Sequence, residues 1–480
     1  MHPTVTGRCS SAWFVFMLAG LLVVSANCAR FSGRPSFIVV LVDTLRADYL
    51  GCYGFQGPVS PNIDALARES YVFKNCYASA PWTKPSVASL FTSLNPMAHG
   101  VTNHEGAMWS EDEPDLEKGV LRLDALTLAE RLKAEGYATG AFVANPWMSW
   151  QYGFDQGFDV YSSIASIIDP PADRVTLEAT RWLESAGGRE PYFLYLHLLD
   201  VHGPYNASDS TYELVRRSPS VQTDAVLSDA EWDVISATTM QAVWARDARG
   251  AKKPETRRLD TWRGRYAAEV RDLDDRLGPF LAKLKQEGYL DHAYLILISD
   301  HGEALHDHGN WDHGYSLFED QVHVPMIIRP PGGLEATQEV PAVVGLVDLL
   351  PTLVAAGGAS AENVEGKDLG SLIGRPGESG GSGIVFSGAA RTNPLLYSVR
   401  AGTYKLIVNG KINRHALFDI TKDPGEEDNI APQAPQVVGE LRAYLDKVIQ
   451  GARARPLFEA ETPSASIEGR ELLRSLGYAN

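Results

Sequence analysis

Three continuous apolar runs, each followed by an acid or an imidazole, constrain this chain more than any other feature. Phe37–Val42 is β-branched and uninterrupted, and Tyr192–Leu199 and Tyr294–Ile298 repeat the pattern. Strands covered on both faces read as such runs, because neither face needs polar residues. Helical spacing lies between them. One helix is expected from about Asp124 to Ala134, with Leu126, Leu128 and Leu132 apolar. A second is expected from about Tyr266 to Lys285, with Val270, Leu273, Leu277, Leu281 and Leu284 on one stripe and Gly288 as the stop. Alternating strand and helix predicts an α/β fold, a three-layer sandwich with a mostly parallel central sheet. From Gly383 on, short pieces such as Tyr404–Val408 predict a small C-terminal antiparallel subdomain. The expected divisions are a catalytic domain over 36–370, the subdomain over 383–450 and a tail over 451–480. Gly374–Gly383 reads as a surface linker, and the charged stretch from about Asn206 to Arg265 as an insertion near the site mouth.

In open parallel sheets, ligands bind at the carboxyl ends of the strands. The first run ends in Asp43, the second runs into Asp200 and His202, and the third into Asp300-His301-Gly302-Glu303. One Asp after a strand is usually a turn or a helix cap. Acids and imidazoles after three strands point instead to a divalent metal site. Asp300 opens a His-rich stretch holding His301, His306, His308 and His313. Not all of these can be ligands; His301 is expected as the ligand and His313 as a donor to substrate. The nucleophile candidate is Thr83, in Pro81-Trp82-Thr83-Lys84-Pro85-Ser86. Pro85 suits a first helical turn, and Val87–Thr92 can continue the helix. A hydroxyl there faces free amides and the positive helix end, which favour an anion. Read locally, Thr83 is more simply the N-cap of that helix than a nucleophile.

The net charge of −17 argues against nucleic-acid partners. Arg8 followed by the apolar stretch Ala12–Val24 and Ser25-Ala26-Asn27-Cys28 reads as an export signal over 1–28. Lipidation at Cys28, plain cleavage and an uncleaved membrane anchor remain open. The protein is expected to be exported, to the periplasm or cell surface. Cys52 and Cys76 are expected as free thiols, and the absence of a Cys-x-x-Cys pair argues against a thiolate zinc site.

The motifs resemble those of the sulfatase family, within the alkaline phosphatase superfamily. Ile38–Gly54 resembles the family's opening strand and metal-binding turn, and Trp82–Ser93 its nucleophile motif. His197–Tyr205 is similar to the stretch that carries a substrate-contacting His. Ser299–Glu303 is similar to the second metal motif, and His313–Glu319 to the last active-site stretch. The resemblance covers nearly all of 36–450 and implies one divalent ion, calcium, zinc or manganese. It implies Asp43, Asp300 and His301 as metal ligands, Thr83, His202 and His313 as catalytic residues, and Asn103 as a substrate-side donor. The substrate class it implies is a small-molecule, glycan or lipid ester.

The departures are specific. Sulfatases carry a Cys or Ser, oxidised to formylglycine, where this chain has Thr83. A Thr cannot give that aldehyde. The family's Arg is Val87, the second acid of the first metal motif is Thr44, and the Asn of the second is His301. The set Asp43, Thr83, Asp300 and His301 resembles that of Thr-dependent phosphoethanolamine transferases and lipoteichoic acid synthases. Three functions follow as alternatives: a metal-dependent hydrolase of sulfate or phosphate esters, a Thr-based phosphoryl or phospho-alcohol transferase at the membrane surface, and a degenerate anion- or glycan-binding domain.

Overall fold

The computed structural model describes residues 33–102, 119–164, 171–185, 190–228, 258–374, 383–391 and 393–454. The expected signal, Cys28, Asn103, the middle of the insertion and the tail beyond 454 lie outside the described residues.

The central sheet has eight strands: β1 (Ser36–Val42), β2 (Tyr71–Tyr77), β3 (Ala138–Val143), β4 (Val160–Ser163), β5 (Tyr192–Leu198), β6 (Ala293–Ile298), β9 (His323–Arg329) and β10 (Gln338–Gly345). Their order is β10-β2-β9-β6-β1-β5-β3-β4. Only β9 runs against the others, pairing antiparallel with β2 and β6. A two-stranded ribbon, β7 (Ala304–Leu305) and β8 (Trp311–Asp312), lies between β6 and β9 in sequence.

Burial on both faces accounts for the uninterrupted runs. Successive strand side chains point to opposite faces. Phe37, Val39 and Leu41 of β1 belong to one core with Phe193, Tyr195, Ile296 and Ile298. Ile38, Val40 and Val42 belong to another with Leu194, Leu196, Leu295 and Leu297. Helices complete each layer. α2 (Thr83–Thr92), α4 (Leu128–Ala134) and α9 (Leu349–Ala356) contribute Leu90, Leu128, Leu132 and Leu349 to the first core. α1 (Pro61–Ala67), α5 (Pro171–Glu184) and α7 (Leu259–Gln286) contribute Ile63, Val175, Tyr266 and Leu277 to the second. The expected three-layer α/β sandwich is the observed fold.

Two helix boundaries differ from expectation. α4 begins only after Thr127, where Thr127 and Glu130 form a reciprocal capping box, so Leu126 lies before the helix and is exposed. α7 begins at Leu259, a full turn and more before Tyr266, and contains Pro279. The remaining short helices are α3 (Pro96–His99), α6 (Asp209–Val215) and α8 (Glu319–Val322).

The C-terminal sheet is antiparallel throughout: β11 (Ile384–Ser387), β12 (Leu396–Ala401), β13 (Tyr404–Asn409) and β14 (Arg414–Asp419). One face holds Val399, Leu406 and Leu417 against Leu441 and Leu445 of α10 (Pro435–Arg453). The other joins Leu396, Ile407 and Phe418 to Tyr77, Val322 and Val343 of the main domain's edge. Cys52 and Cys76 are free thiols. No helix of the described residues is long and apolar enough to cross a membrane.

Candidate active site

β6, β1 and β5 are neighbours at the centre of the sheet. Their carboxyl ends therefore deliver Asp43, His197 and Asp300 to one place. Val42 pairs with Leu198, and the Asp43 amide continues the ladder to the Leu198 carbonyl at 2.9 Å. The chain then turns sharply at Thr44, which takes a left-handed φ of 59°. Contacts hold that costly conformation: the Thr44 hydroxyl donates to the Asp43 carbonyl at 2.7 Å, and its carbonyl accepts the Tyr266 hydroxyl at 2.7 Å. Gly302 lets the turn after β6 press against α8, since a Cβ there would lie 2.1 Å from the Asp320 carbonyl.

Asp43, Asp300 and His301 are fully buried. His301 Nε2 lies 3.5 Å from Asp43 Oδ1 and 3.5 Å from Asp300 Oδ2. Its Nδ1 is 2.9 Å from the Gly302 carbonyl and donates there, so Nε2 keeps its lone pair toward the carboxylates. Among the described residues, Asp43 Oδ1 and Asp300 Oδ2 have no hydrogen-bond partner. Buried carboxylate oxygens without partners are costly, and a cation resolves the cost. The spacing suits one. Donors around a tetrahedral ion with bonds of about 2.1 Å stand about 3.4 Å apart.

Thr83 completes the group. Its N-cap is Trp82, so Thr83 is the first helical residue of α2 and not the cap. Its hydroxyl sits 3.4 Å from His301 Nε2 and 3.5 Å from Asp43 Oδ2. The sequence-expected set of Asp43, Thr83, Asp300 and His301 is thus brought together. His202 and His313 join it: the His313 ring is centred 4.4 Å from that of His301 and 5.0 Å from that of His202.

Three residues at the cluster were not expected from the sequence. Asn145, just past β3, donates from Nδ2 to Asp43 Oδ2 at 2.5 Å and to Thr83 Oγ1 at 3.3 Å. Its Oδ1 accepts the Trp147 amide at 2.8 Å, which sets the side-chain orientation. His197 Nε2 is 3.0 Å from Asp43 Oδ2, and Asp43, His197 and Asp300 all bring an atom within 4.8 Å of one another. Glu303 is buried, with Oε2 3.3 Å from His313 Nδ1. The available signals were weak: an Asn ahead of a Pro after an apolar run, and a single His inside one.

Asp200 does not join the site. Its carboxylate accepts the Ala172 amide at 3.0 Å, at the start of α5, a helix that precedes it in the chain. His306 packs at a tilt against Trp311 and His308 stacks on Phe318, so both leave the cluster.

Electrostatics separate the adjacent imidazoles of His301 and His313. Burial, with the neighbouring His313 charge, pushes His301 down to about 3, so its ring is neutral. Burial also opposes charge on His313, but the Asp312 and Glu303 carboxylates outweigh it and push His313 up to about 10. Burial raises Asp43, yet the His197 hydrogen bond and the electrostatic pull of the His301 and His197 rings hold it well below the usual carboxylate range. Burial and the Asp43 charge push Asp300 well above that range.

A buried Asp-Asp-His cluster beside a helix-start hydroxyl, at the carboxyl edge of a mostly parallel sheet, defines the alkaline-phosphatase class of α/β domain. Within that class, the chain belongs to the sulfatase family: the family model "Sulfatase" matches residues 35–359. A second model, "N-sulphoglucosamine sulphohydrolase, C-terminal", matches 306–452. The chain is 25% identical to Arylsulfatase K of Gallus gallus, covering 91% of this chain and 87% of that one. Its fold is similar to the phosphonate monoester hydrolase of Agrobacterium radiobacter, with a TM-score of 0.67, 20% identity and coverage of 88% and 96% of the two chains. It is also similar to a protein solved with its substrate D-glucosamine-2-N,6-O-disulfate, with a TM-score of 0.65, 20% identity and coverage of 89% and 100%.

Proposed function

We propose that this sulfatase-family ester hydrolase uses Thr83 as its nucleophile, acts with one divalent cation, and cleaves a phosphorus ester in preference to a sulfate ester. The observation that carries the reading is the Thr83 hydroxyl within 3.5 Å of both His301 Nε2 and Asp43 Oδ2, at the start of a buried helix.

Asp43, Asp300 and His301 are the residues that would hold the cation. An imidazole donor and the observed spacing favour zinc or manganese over calcium, which prefers six to eight oxygens. The cation, when bound, lowers the pKa of a nearby hydroxyl and neutralises charge on the ester oxygens. Thr83 Oγ attacks the ester centre and its proton leaves to solvent or to a neighbouring base. The free amides at the start of α2 face the oxygens that gain charge, while the Asn145 amide, bonded to Asp43 Oδ2 and Thr83 Oγ1, holds the nucleophile in place. His313, held cationic by Asp312 and Glu303, gives a proton to the departing alcohol. His202 Nδ1 lies 2.7 Å from the Gly203 carbonyl and donates to it, which fixes the ring beside His313 at the edge of the site. Water then attacks the Thr83 ester and restores the hydroxyl.

The preference for phosphorus rests on this second step. A formylglycine hydrate expels sulfate by collapsing to its aldehyde, whereas a Thr ester has no such exit and depends on direct attack at its centre. In-line attack on a phospho-Thr centre fits that need. The relatives' named substrates keep small-molecule and glycan esters in view. The same reading places catalysis in 36–370, the small sheet in a subdomain over 383–450, and the protein outside the cytoplasm behind the 1–28 signal.

The test compares aryl phosphate monoesters, aryl phosphonate monoesters and aryl sulfates with the purified full chain loaded with zinc, manganese or calcium. Faster turnover of a phosphorus ester is the expected result, with an adduct of about 80 Da, one phosphoryl group, on Thr83 when the aryl phosphate reaction is quenched with acid. Sulfate turnover that survives Thr83→Ala would contradict it.

A further inference from the structure

Asp43 uses its two oxygens differently. Oδ1 faces His301 Nε2 at 3.5 Å and has no hydrogen-bond partner among the described residues. Oδ2 takes Asn145 Nδ2 at 2.5 Å and His197 Nε2 at 3.0 Å. His197 in turn leads to Tyr195, whose hydroxyl is 3.1 Å from His197 Nδ1. Tyr195 and His197 are two apart on β5, so both point to the same face of the sheet. All three groups are fully buried.

The proton placement follows from what each group can do. A carboxylate only accepts, so His197 Nε2 carries the hydrogen. With the hydrogen on Nε2, Nδ1 presents a lone pair, and the phenol donates to it. The chain of donation runs Tyr195 to His197 to Asp43, from the packed core of the sheet to the edge of the site.

We infer that His197 is a positioning residue, set by Tyr195, that holds Asp43 by Oδ2 so that Oδ1 is presented to the cation. His197 is thereby distinguished from His301, whose Nε2 faces Asp43 Oδ1 and Asp300 Oδ2, the two carboxylate oxygens without a hydrogen-bond partner among the described residues. The chain has Thr44 where the family carries a second acid, and Thr44 spends its hydroxyl on the Asp43 carbonyl. Asn145 and His197 do the orienting that remains. This inference rests on the metal reading above.

The experiment strips the full-length protein of metal and measures zinc binding by competition with a chromophoric chelator, alongside a thermal melt of each apo variant. The variants are His197→Ala, His197→Gln, Tyr195→Phe and Asp300→Asn. His197→Ala should keep one zinc site but weaken it about 10- to 100-fold, as loss of an orienting partner does. His197→Gln, whose amide can still donate to Asp43, should recover most of the affinity. Tyr195→Phe should weaken binding about 3- to 10-fold. Affinity within twofold of wild type in His197→Ala overturns the inference, and so does complete loss of the site, which would make His197 a ligand. If His197→Ala does not fold, the other pair decides: a weakened Tyr195→Phe beside a near-normal His197→Gln supports it, and an unchanged Tyr195→Phe overturns it. Zinc binding that survives Asp300→Asn intact would take down the metal reading itself, and this inference with it, a result that the His197 variants alone cannot produce.

Discussion

Two buried polar clusters lie one short helix apart, and their valences are filled in opposite ways. At the junction of the two sheets, Lys405 is fully buried with Glu319 at 2.9 Å and Glu426 at 3.0 Å. The Tyr77 hydroxyl donates to Glu319 Oε2 at 3.0 Å and accepts Arg400 Nε at 2.8 Å. Cation and anions meet there within the chain itself. At the carboxyl edge of the central sheet, Asp43 Oδ1, Asp300 Oδ2 and Glu303 Oε1 lack hydrogen-bond partners among the described residues. A closed cluster fastens one part of the fold to another. An open one holds charge in reserve for something that arrives.

Removing single groups should separate the two. The largest effect belongs to the open cluster: Thr83→Ala should lower kcat on the order of 10⁴-fold or more, with the melting temperature nearly unchanged. Steady-state kinetics beside calorimetry check this, and a kcat within tenfold of wild type would break the comparison. Lys405→Met should do the reverse, costing about 3–5 kcal/mol of stability by leaving two carboxylates buried without their cation. Denaturant unfolding measures it, and the folded fraction should keep its activity. Asp300→Asn should lower kcat about 10²- to 10³-fold. The same change should leave metal-free stability equal or higher, because it relieves the repulsion between Asp300 and Asp43.

Asp320 sharpens the comparison at its boundary. It follows Glu319 of the closed cluster, while its carbonyl accepts the Glu303 amide of the open one at 2.9 Å. Neither carboxylate oxygen has a hydrogen-bond partner among the described residues, and burial pushes the group up to about 8. The sign follows from linkage. A raised carboxyl favours the protonated fold, so its contribution is whole below the unfolded pKa near 4 and is lost as pH rises through about 8. Asp320→Asn should match wild type near pH 4 and gain on it by up to about 1.4 kcal/mol per pH unit toward pH 8. Melts across that range check it, and parallel curves would contradict it.

The sequence showed what buried geometry imposes on composition. Strands covered on both faces must be apolar throughout, so β1, β5 and β6 were plain, and the acids after β1 and β6 stood out against them. Asp200 looked the same on paper but spends its carboxylate on an amide at the start of α5, earlier in the chain, a contact that no local pattern shows. Thr83 was legible as a helix-start hydroxyl but misread locally as a cap, a place that Trp82 takes with its backbone alone. Asn145 and His197 were hidden for a different reason. Their contacts to Asp43 span 102 and 154 residues, and nothing local distinguishes a donating His in a strand from a packed one. The start of α4 was missed because the Thr127–Glu130 box overrides the apolar spacing at Leu126.

The central claim is that one cation sits among Asp43, Asp300 and His301 beside Thr83. Anomalous diffraction from crystals of the zinc- or manganese-loaded protein tests it most directly. The account predicts one strong peak per chain, bonded to Asp43 Oδ1, Asp300 Oδ2 and His301 Nε2 at about 2.0–2.2 Å. A peak at the neighbouring Glu303, Asp312 and His313 group instead, or none at all, would contradict it.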